Sequence, residues 1–373
     1  MKLISKERNN QYIYKIIKMK MNKFYIKFNL SLIFFLNTIF ICSQDSPNII
    51  FLIGDGMGLT QISAGMYANG NSTALEEFEY IGLSKTTSSN SFVTDSAASG
   101  TAMSSGEKTL NKVLGINSKN VTLKSILEIC QDEGYKTALL ATSSIVHATP
   151  ASFYAKVISR YKYEDIALQF SKHSVDFFVG GGRNYFYKRT DGKNLIKEMD
   201  SYTFVKSIEE YNKSKASKIG FFTYDLEPPS ILENRKFPLD QLTKITLSKL
   251  NSSKSPFFIM IEGSQIDWGS HENNLNYLTT EFIEFNSAIQ AALDFAKKDG
   301  NTLVIVTADH ETGGLALLGG NISQKRVYGK FNTKGHSATM VPVFSYGPNS
   351  ESFKGIYENT EIFKKLKNTL DIK

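Results

Sequence analysis

The chain has 373 residues, 41% hydrophobic and 21% charged, which excludes a disordered or fibrous protein and allows one large domain or two modest ones. The net charge of +7 resides in residues 1–44, which hold eight Lys or Arg and one acid, Glu7; the remainder holds 35 basic and 35 acidic residues, so no global field for a polyanion remains and no nucleic-acid-binding surface is inferred. Two cysteines, Cys42 and Cys130, exclude a disulfide framework and a Cys-rich zinc module.

Residues 1–27 are polar and basic, and FNLSLIFFLNTIFIC (28–42) is apolar and uncharged. A charged segment before a short apolar one reads as a secretory signal, and this stretch is shorter than the roughly 20 residues of a membrane span. Translation starts at Met1 or at Met21, and cleavage is expected near Ser43 to Asp45. Residues 1–44 are thus a leader, and the protein is expected to be exported, periplasmic or extracellular, meeting a membrane only through that leader. The alternative is an uncleaved anchor or a lipoprotein on Cys42, although Ile41 is large where a small residue would be expected.

From residue 46 apolar runs alternate with helical patterns. NIIFLI (48–53) predicts a strand running into Asp55. In SFVTDSAASGTAMSSG (91–106) the small residues predict a helix that begins at Ser96, which is either its N-cap or a nucleophile facing a phosphate held by helix amides. LKSILEICQDEGY is an amphipathic helix in which Cys130 is a buried thiol. TALLAT (137–142) leads to His147 and Thr149, and VDFFVG (175–180) and KIGFFTY (218–224) predict further strands. Residues 183–240 are more polar, with Pro228 and Pro229 marking a loop, and read as a variable insert. FFIMIE (257–262) carries Glu262 and runs on to Asp267, Trp268 and His271. Apolar spacings of three and four from Leu278 to Ala296 predict a helix over 275–298. TLVIVTA (302–308) runs into Asp309 and His310, and VPVFSY (341–346) follows the Gly-rich segment that holds His336. Continuous apolar runs suit strands covered on both faces. The fold class is therefore α/β, a three-layer αβα sandwich with a mainly parallel central sheet, and residues 45–373 read as a single catalytic domain.

In such sheets sites form beyond the carboxyl ends of strands. A lone Asp after a strand is ordinarily a cap or turn residue, but here four strand ends deliver Asp, Glu, His and Thr. Of the five histidines only His173 sits outside these segments. Asp267 and His271, four apart, share one face of a helical turn. Asp309 and His310 converge only if their strand ends there, which Gly313 and Gly314 permit. Carboxylates with imidazoles and no thiolates suit zinc in an open site, and oxygen-only ligands suit magnesium.

The segments NIIFLIGDGMG (48–58), VTDSAASGTA (93–102), HATP (147–150), VISR (157–160), IEGSQIDWGSH (261–271), TADHETGG (307–314) and GHSATMVPVFSYG (335–347) together resemble the alkaline phosphatase family, in the family's order and over nearly the whole mature chain. The resemblance implies a phosphomonoesterase of broad specificity with two zinc ions and one magnesium. Asp267, His271 and His336 would hold the first zinc, and Asp309 and His310 the second, with Asp55 bridging to magnesium. Thr149 and Glu262 would complete the magnesium site. Ser96 would form the phosphoserine and Arg160 would clamp phosphate oxygens. Asp95 would orient Arg160 or its loop. His147 and Trp268 stand where some members carry Asp and Lys, which bears on the third metal and on phosphate affinity. The resemblance also implies a homodimer. The alternatives are a phosphodiesterase or sulfatase-like relative, which would carry Thr or a modified Cys in place of Ser96, or a non-catalytic envelope protein that binds metal or phosphate, which would lack the nucleophile or a ligand.

Overall fold

The computed structural model describes residues 13–23 and 46–371. Residues 13–23 form a helix within a unit, Met1–Asp45, distinct from that of Ser46–Lys373. The apolar stretch 28–42 and the expected cleavage region 43–45 lie outside the described residues. No helix among the described residues is long and apolar enough to cross a membrane.

In the larger unit the unalternated apolar runs become buried strands. In chain order the strands, these and the others, are β1 (Asn48–Gly54), β2 (Tyr80–Lys85), β3 (Lys136–Ser144), β4 (Phe177–Gly181), β5 (Thr203–Phe204), β6 (Ile219–Phe222), β7 (Phe257–Gly263), β8 (Thr302–Thr307), β9 (Glu311–Thr312), β10 (Ala316–Asn321), β11 (Arg326–Lys330), β12 (His336–Ser337), β13 (Val341–Tyr346) and β14 (Gly355–Glu358). Ten of them form one sheet in the order β14-β2-β13-β8-β1-β7-β3-β4-β6-β5. Every pairing in it is parallel except those of β13 with β8 and β2.

Alternate side chains of each central strand enter two cores. Ile50, Leu52, Ile259, Ile261, Val304 and Val306 face one, with the helices Leu239–Ser252 and Leu275–Asp299. Ile49, Phe51, Phe258, Met260, Leu303 and Ile305 face the other, with the helices Ile126–Asp132, Tyr163–Phe170 and Thr360–Thr369. The architecture is the expected mainly parallel sheet between two helical layers. Residues 183–240 supply β5 and β6, which extend the sheet beyond β4, and several short helices.

Candidate active site

The strands whose ends carry the predicted polar residues, β8, β1, β7 and β3, are consecutive neighbours in the sheet. Parallel pairing aligns their carboxyl ends, with Gly54 opposite Gly263, Ile53 opposite Thr307 and Ala141 opposite Glu262. Antiparallel β13 begins where β8 ends, with Val343 opposite Thr307, so His336, just before it, arrives at the same edge. The loop after β1 meets the helix Gln265–His271 at Gly56, where a Cβ would lie 2.7 Å from Asp267 Cα.

Three groups of donors result. His271 Nε2 is 3.2 Å from Asp267 Oδ2, and His336 Nε2 is 3.1 Å from His271 Nε2 and 3.6 Å from Asp267 Oδ1. His310 Nε2 is 3.1 Å from Asp309 Oδ2 and 3.5 Å from Asp55 Oδ1. Asp55, His147 and Glu262 form the third group, with a candidate ligand atom of each within 4.8 Å of the others.

The imidazoles are set as ligands by what their other nitrogens touch. His336 Nδ1 donates to Thr94 O (2.9 Å) and His271 Nδ1 to Lys334 O (2.5 Å). The single Thr312 hydroxyl proton goes to Asp267 Oδ1 (2.5 Å), so Thr312 Oγ1 accepts from His310 Nδ1 (3.2 Å). Each ring therefore commits Nδ1 elsewhere and faces the site with Nε2, the arrangement that orients histidine on a metal. His147 differs. Its Nε2 lies 3.3 Å from Arg160 Nη2, a donor only, so Nε2 accepts. Burial and the Arg160 charge depress its pKa to about 3 and keep it neutral.

Without cations these groups conflict. Burial, then the charges of Asp309, Asp267 and Glu262, push Asp55 well above the usual carboxylate range. Burial pushes Glu262 up to about 7, against the hydrogen bond from Ser143. Burial also disfavours the Asp267 charge, but the His271 hydrogen bond and the nearby His310 and His336 outweigh it and hold that carboxyl low. In return Asp267 raises His271 to about 9.

Ser96 is the first residue of the helix Ser96–Ser105, and its N-cap is Asp95, not Ser96. Asp95 Oδ1 accepts from Ala98 N and Lys112 N (3.0 Å each), and Oδ2 from Arg160 Nη1 (3.2 Å). One carboxylate thus caps the helix and holds the guanidinium. Ser96 Oγ lies 3.3 Å from His310 Nε2. Trp268 packs edge-on against His147, ring centroids 5.9 Å apart. His173 lies elsewhere, beside Tyr154 and Glu128. Thr312 and Ser143, which hydrogen-bonds Glu262 Oε2 at 3.1 Å, are site residues that the sequence reading did not single out. Thr312 lies within TADHETGG, where only the charged and imidazole side chains drew notice.

A family model described as alkaline phosphatase matches residues 46–330. The chain belongs to the alkaline phosphatase family. It is 34% identical to alkaline phosphatase 3 of Bacillus subtilis (strain 168), over 87% of this chain and 89% of that one. It is 28% identical to the alkaline phosphatase of Escherichia coli (strain K12), over 88% of each. Among solved structures, the alkaline phosphatase of the Antarctic bacterium TAB5 superposes with a TM-score of 0.83 at 44% identity, over 88% of this chain and 99% of that one. A variant of that enzyme with glutamate in place of one histidine was solved with magnesium bound. This alkaline phosphatase is accordingly a metal-dependent phosphomonoesterase.

Proposed function

We propose that this enzyme hydrolyses phosphate monoesters with little regard for the alcohol, through a phosphoserine on Ser96, with two zinc ions and one magnesium. The observation that carries the metal assignment is a set of buried oxygens without a hydrogen-bond partner: both of Asp55, Oε1 of Glu262, Oδ2 of Asp309 and Oγ1 of Thr149. Burying an unpaired carboxylate costs several kcal/mol, and cations among these oxygens and the Nε2 lone pairs remove that cost. Asp267, His271 and His336 suit one zinc, and Asp309 and His310 a second, with Asp55 shared. Glu262, Thr149 and the other Asp55 oxygen suit magnesium, and the magnesium-bound TAB5 variant supports that ion among the three.

Bound there, the ions would lower the proton affinity of the Ser96 hydroxyl and of water and offset charge on the departing oxygen. The chain's own residues do the rest. Arg160, fixed by Asp95 and His147, binds two phosphoryl oxygens, and the amides at the start of the helix Ser96–Ser105 face the same group. Ser96 Oγ attacks phosphorus in line and gives up its proton, and the alcohol leaves with one. Water then attacks the phosphoserine from the vacated side, restoring Ser96 and releasing inorganic phosphate. Nothing in this set grips the alcohol, hence the broad specificity. By the same resemblance the enzyme works as a homodimer, and the basic and then apolar sequence of residues 1–44 exports it.

Acid quenching with radiolabelled substrate tests this reading. The parent should carry label on Ser96, and Ser96→Ala should lose the label while keeping its metals. Chelation should abolish activity, and zinc with magnesium should restore it. Label on another residue, or full activity in protein shown to be metal-free by elemental analysis, would overturn the proposal.

A further inference from the structure

The β3–β4 ladder slips between Leu140 and Ser144, so the end of β3 that leads to His147 and Thr149 leaves regular pairing. There the backbone N–H of Ser144 is taken by a side chain from far along the chain: Glu227 Oε2 accepts it at 2.5 Å. Glu227 sits on a segment stitched to three elements. Gly182 N and Asn184 N, after β4, donate to Leu226 O and Asp225 O (2.9 Å each). Gln265 Nε2, two residues from Asp267, donates to Pro228 O and to Thr142 O of β3 (2.9 Å each).

The approach is close enough to require glycine at the end of β4 and just after it. A Cβ on Gly181 would lie 2.3 Å from Leu226 O, and one on Gly182 would lie 2.8 Å from Ser144 Cβ. Ser144 O in turn accepts from His147 N (2.9 Å), and the neighbouring Ser143 hydroxyl donates to Glu262 (3.1 Å). Bulges recur beside active sites, where they re-aim a side chain or end the pairing.

We propose that Glu227 is a positioning residue for the third metal site: by holding the bulged end of β3 it sets Ser143, His147 and Thr149 against Glu262 and Asp55. This rests on the reading that those groups hold a third ion. Glu227 need not touch that ion. Its contribution is one hydrogen bond of fixed reach, so side-chain length should matter more than charge.

Two conservative variants separate these properties. Glu227→Asp keeps the charge and shortens the reach, whereas Glu227→Gln keeps the reach and an acceptor oxygen. Zinc-loaded proteins would be titrated with Mg2+ by calorimetry, with metal content after dialysis and melting of the metal-free forms measured in parallel. Glu227→Asp should bind Mg2+ about tenfold or more weakly, as changes to residues behind metal ligands commonly do, while retaining both zinc ions. Glu227→Gln should bind Mg2+ as the parent does. A parent that takes up only two ions would defeat the three-metal reading and this proposal with it. With three ions in the parent, Mg2+ affinity unchanged in Glu227→Asp would overturn this proposal alone. So would equal loss in both variants, or loss of zinc together with lower melting of the metal-free form.

Discussion

Trp268 occupies the position between Asp267, a proposed zinc ligand, and Gly269, half-buried, with its ring edge-on to His147. His147 touches Arg160, so the indole stands beside the guanidinium proposed to clamp phosphate and brings no charge to it. A lysine there would. Unit charges about 4 Å apart interact by roughly 4 kcal/mol at an effective dielectric of 20 before desolvation and screening, and even a third of that is about tenfold in affinity. Trp268→Lys should therefore tighten inhibition by inorganic phosphate and, where product release limits turnover, lower kcat at alkaline pH. The deciding measurement is the phosphate inhibition constant of both proteins at one pH and ionic strength, with metal content checked. An unchanged or weaker constant in the folded, metal-loaded variant would refute the electrostatic account. At this scale Asp55, Asp309 and His310 were legible because a polar residue that ends an apolar run is conspicuous in any sequence. Thr312 and Glu227 were not, since their roles depend on partners 45 and 83 residues away, and Thr and Glu are unremarkable in isolation.

The helix Ser96–Ser105 shows how an element can be built for proximity instead of amphipathicity. It is composed almost entirely of small residues and is buried on all sides up to Ser104. Ser99 Oγ donates to Asp309 O (2.7 Å), and Ser104 Oγ to Ser152 O (2.8 Å). Gly100 faces the short helix that carries Thr149: an added Cβ would lie 2.7 Å from Ser152 Oγ. Gly100→Val should overpack this contact and cost about 1–3 kcal/mol of stability. It should also lower kcat, because the helix that carries Ser96 and the turn that carries Thr149 would be forced apart. Denaturant unfolding and steady-state kinetics test both; wild-type stability would refute the close-packing argument. The run of small residues disclosed the helix in the sequence, but not that Asp95 caps it, because Asp95 and Ser96 are both good N-caps. Among strands, the long apolar runs were legible. β2 was not, since its half-exposed YIGLSK lacks a continuous apolar run, and two-residue β5 offers no period to read.

Across the whole molecule, the sheet order places β8, β1, β7 and β3 side by side. The strand runs were readable one by one, but their order is fixed by helix packing between strands distant in the chain, which no local pattern encodes. Bringing those four ends together concentrates Asp55, Glu262, Asp267 and Asp309 in one buried volume, and this makes stability without metal depend on pH. Asp55 is raised well above its ordinary value and Glu262 to about 7. His271 is raised to about 9, and His310 is raised too: burial opposes its charge, but the charge and hydrogen bond of Asp309 and the charges of Asp267 and Asp95 together outweigh it. For each of these the folded state holds a proton more tightly than the unfolded chain. That stability is fully present below the unfolded pKa and is lost as pH rises through the folded one. His147, lowered to about 3, and His336, lowered to about 4, act in the opposite sense, but only up to the unfolded histidine value near 6.5. Asp267 and Asp309 are both lowered, so their contributions are already complete above about pH 4. From about pH 6.5 to 9 the contributions that still change are those of the raised groups, and each of them removes stability from the metal-free fold as pH rises. Metal binding runs the other way, because ligands must be deprotonated. The melting temperature of chelated protein should fall by several degrees over that range, while that of metal-loaded protein should not follow it. A loss of 1 kcal/mol moves melting by about 2–4 °C in domains of 150–250 residues, so the widening gap is measurable by calorimetry. Parallel pH profiles for the two forms would mean that these carboxylates and imidazoles do not carry the metal linkage assigned to them.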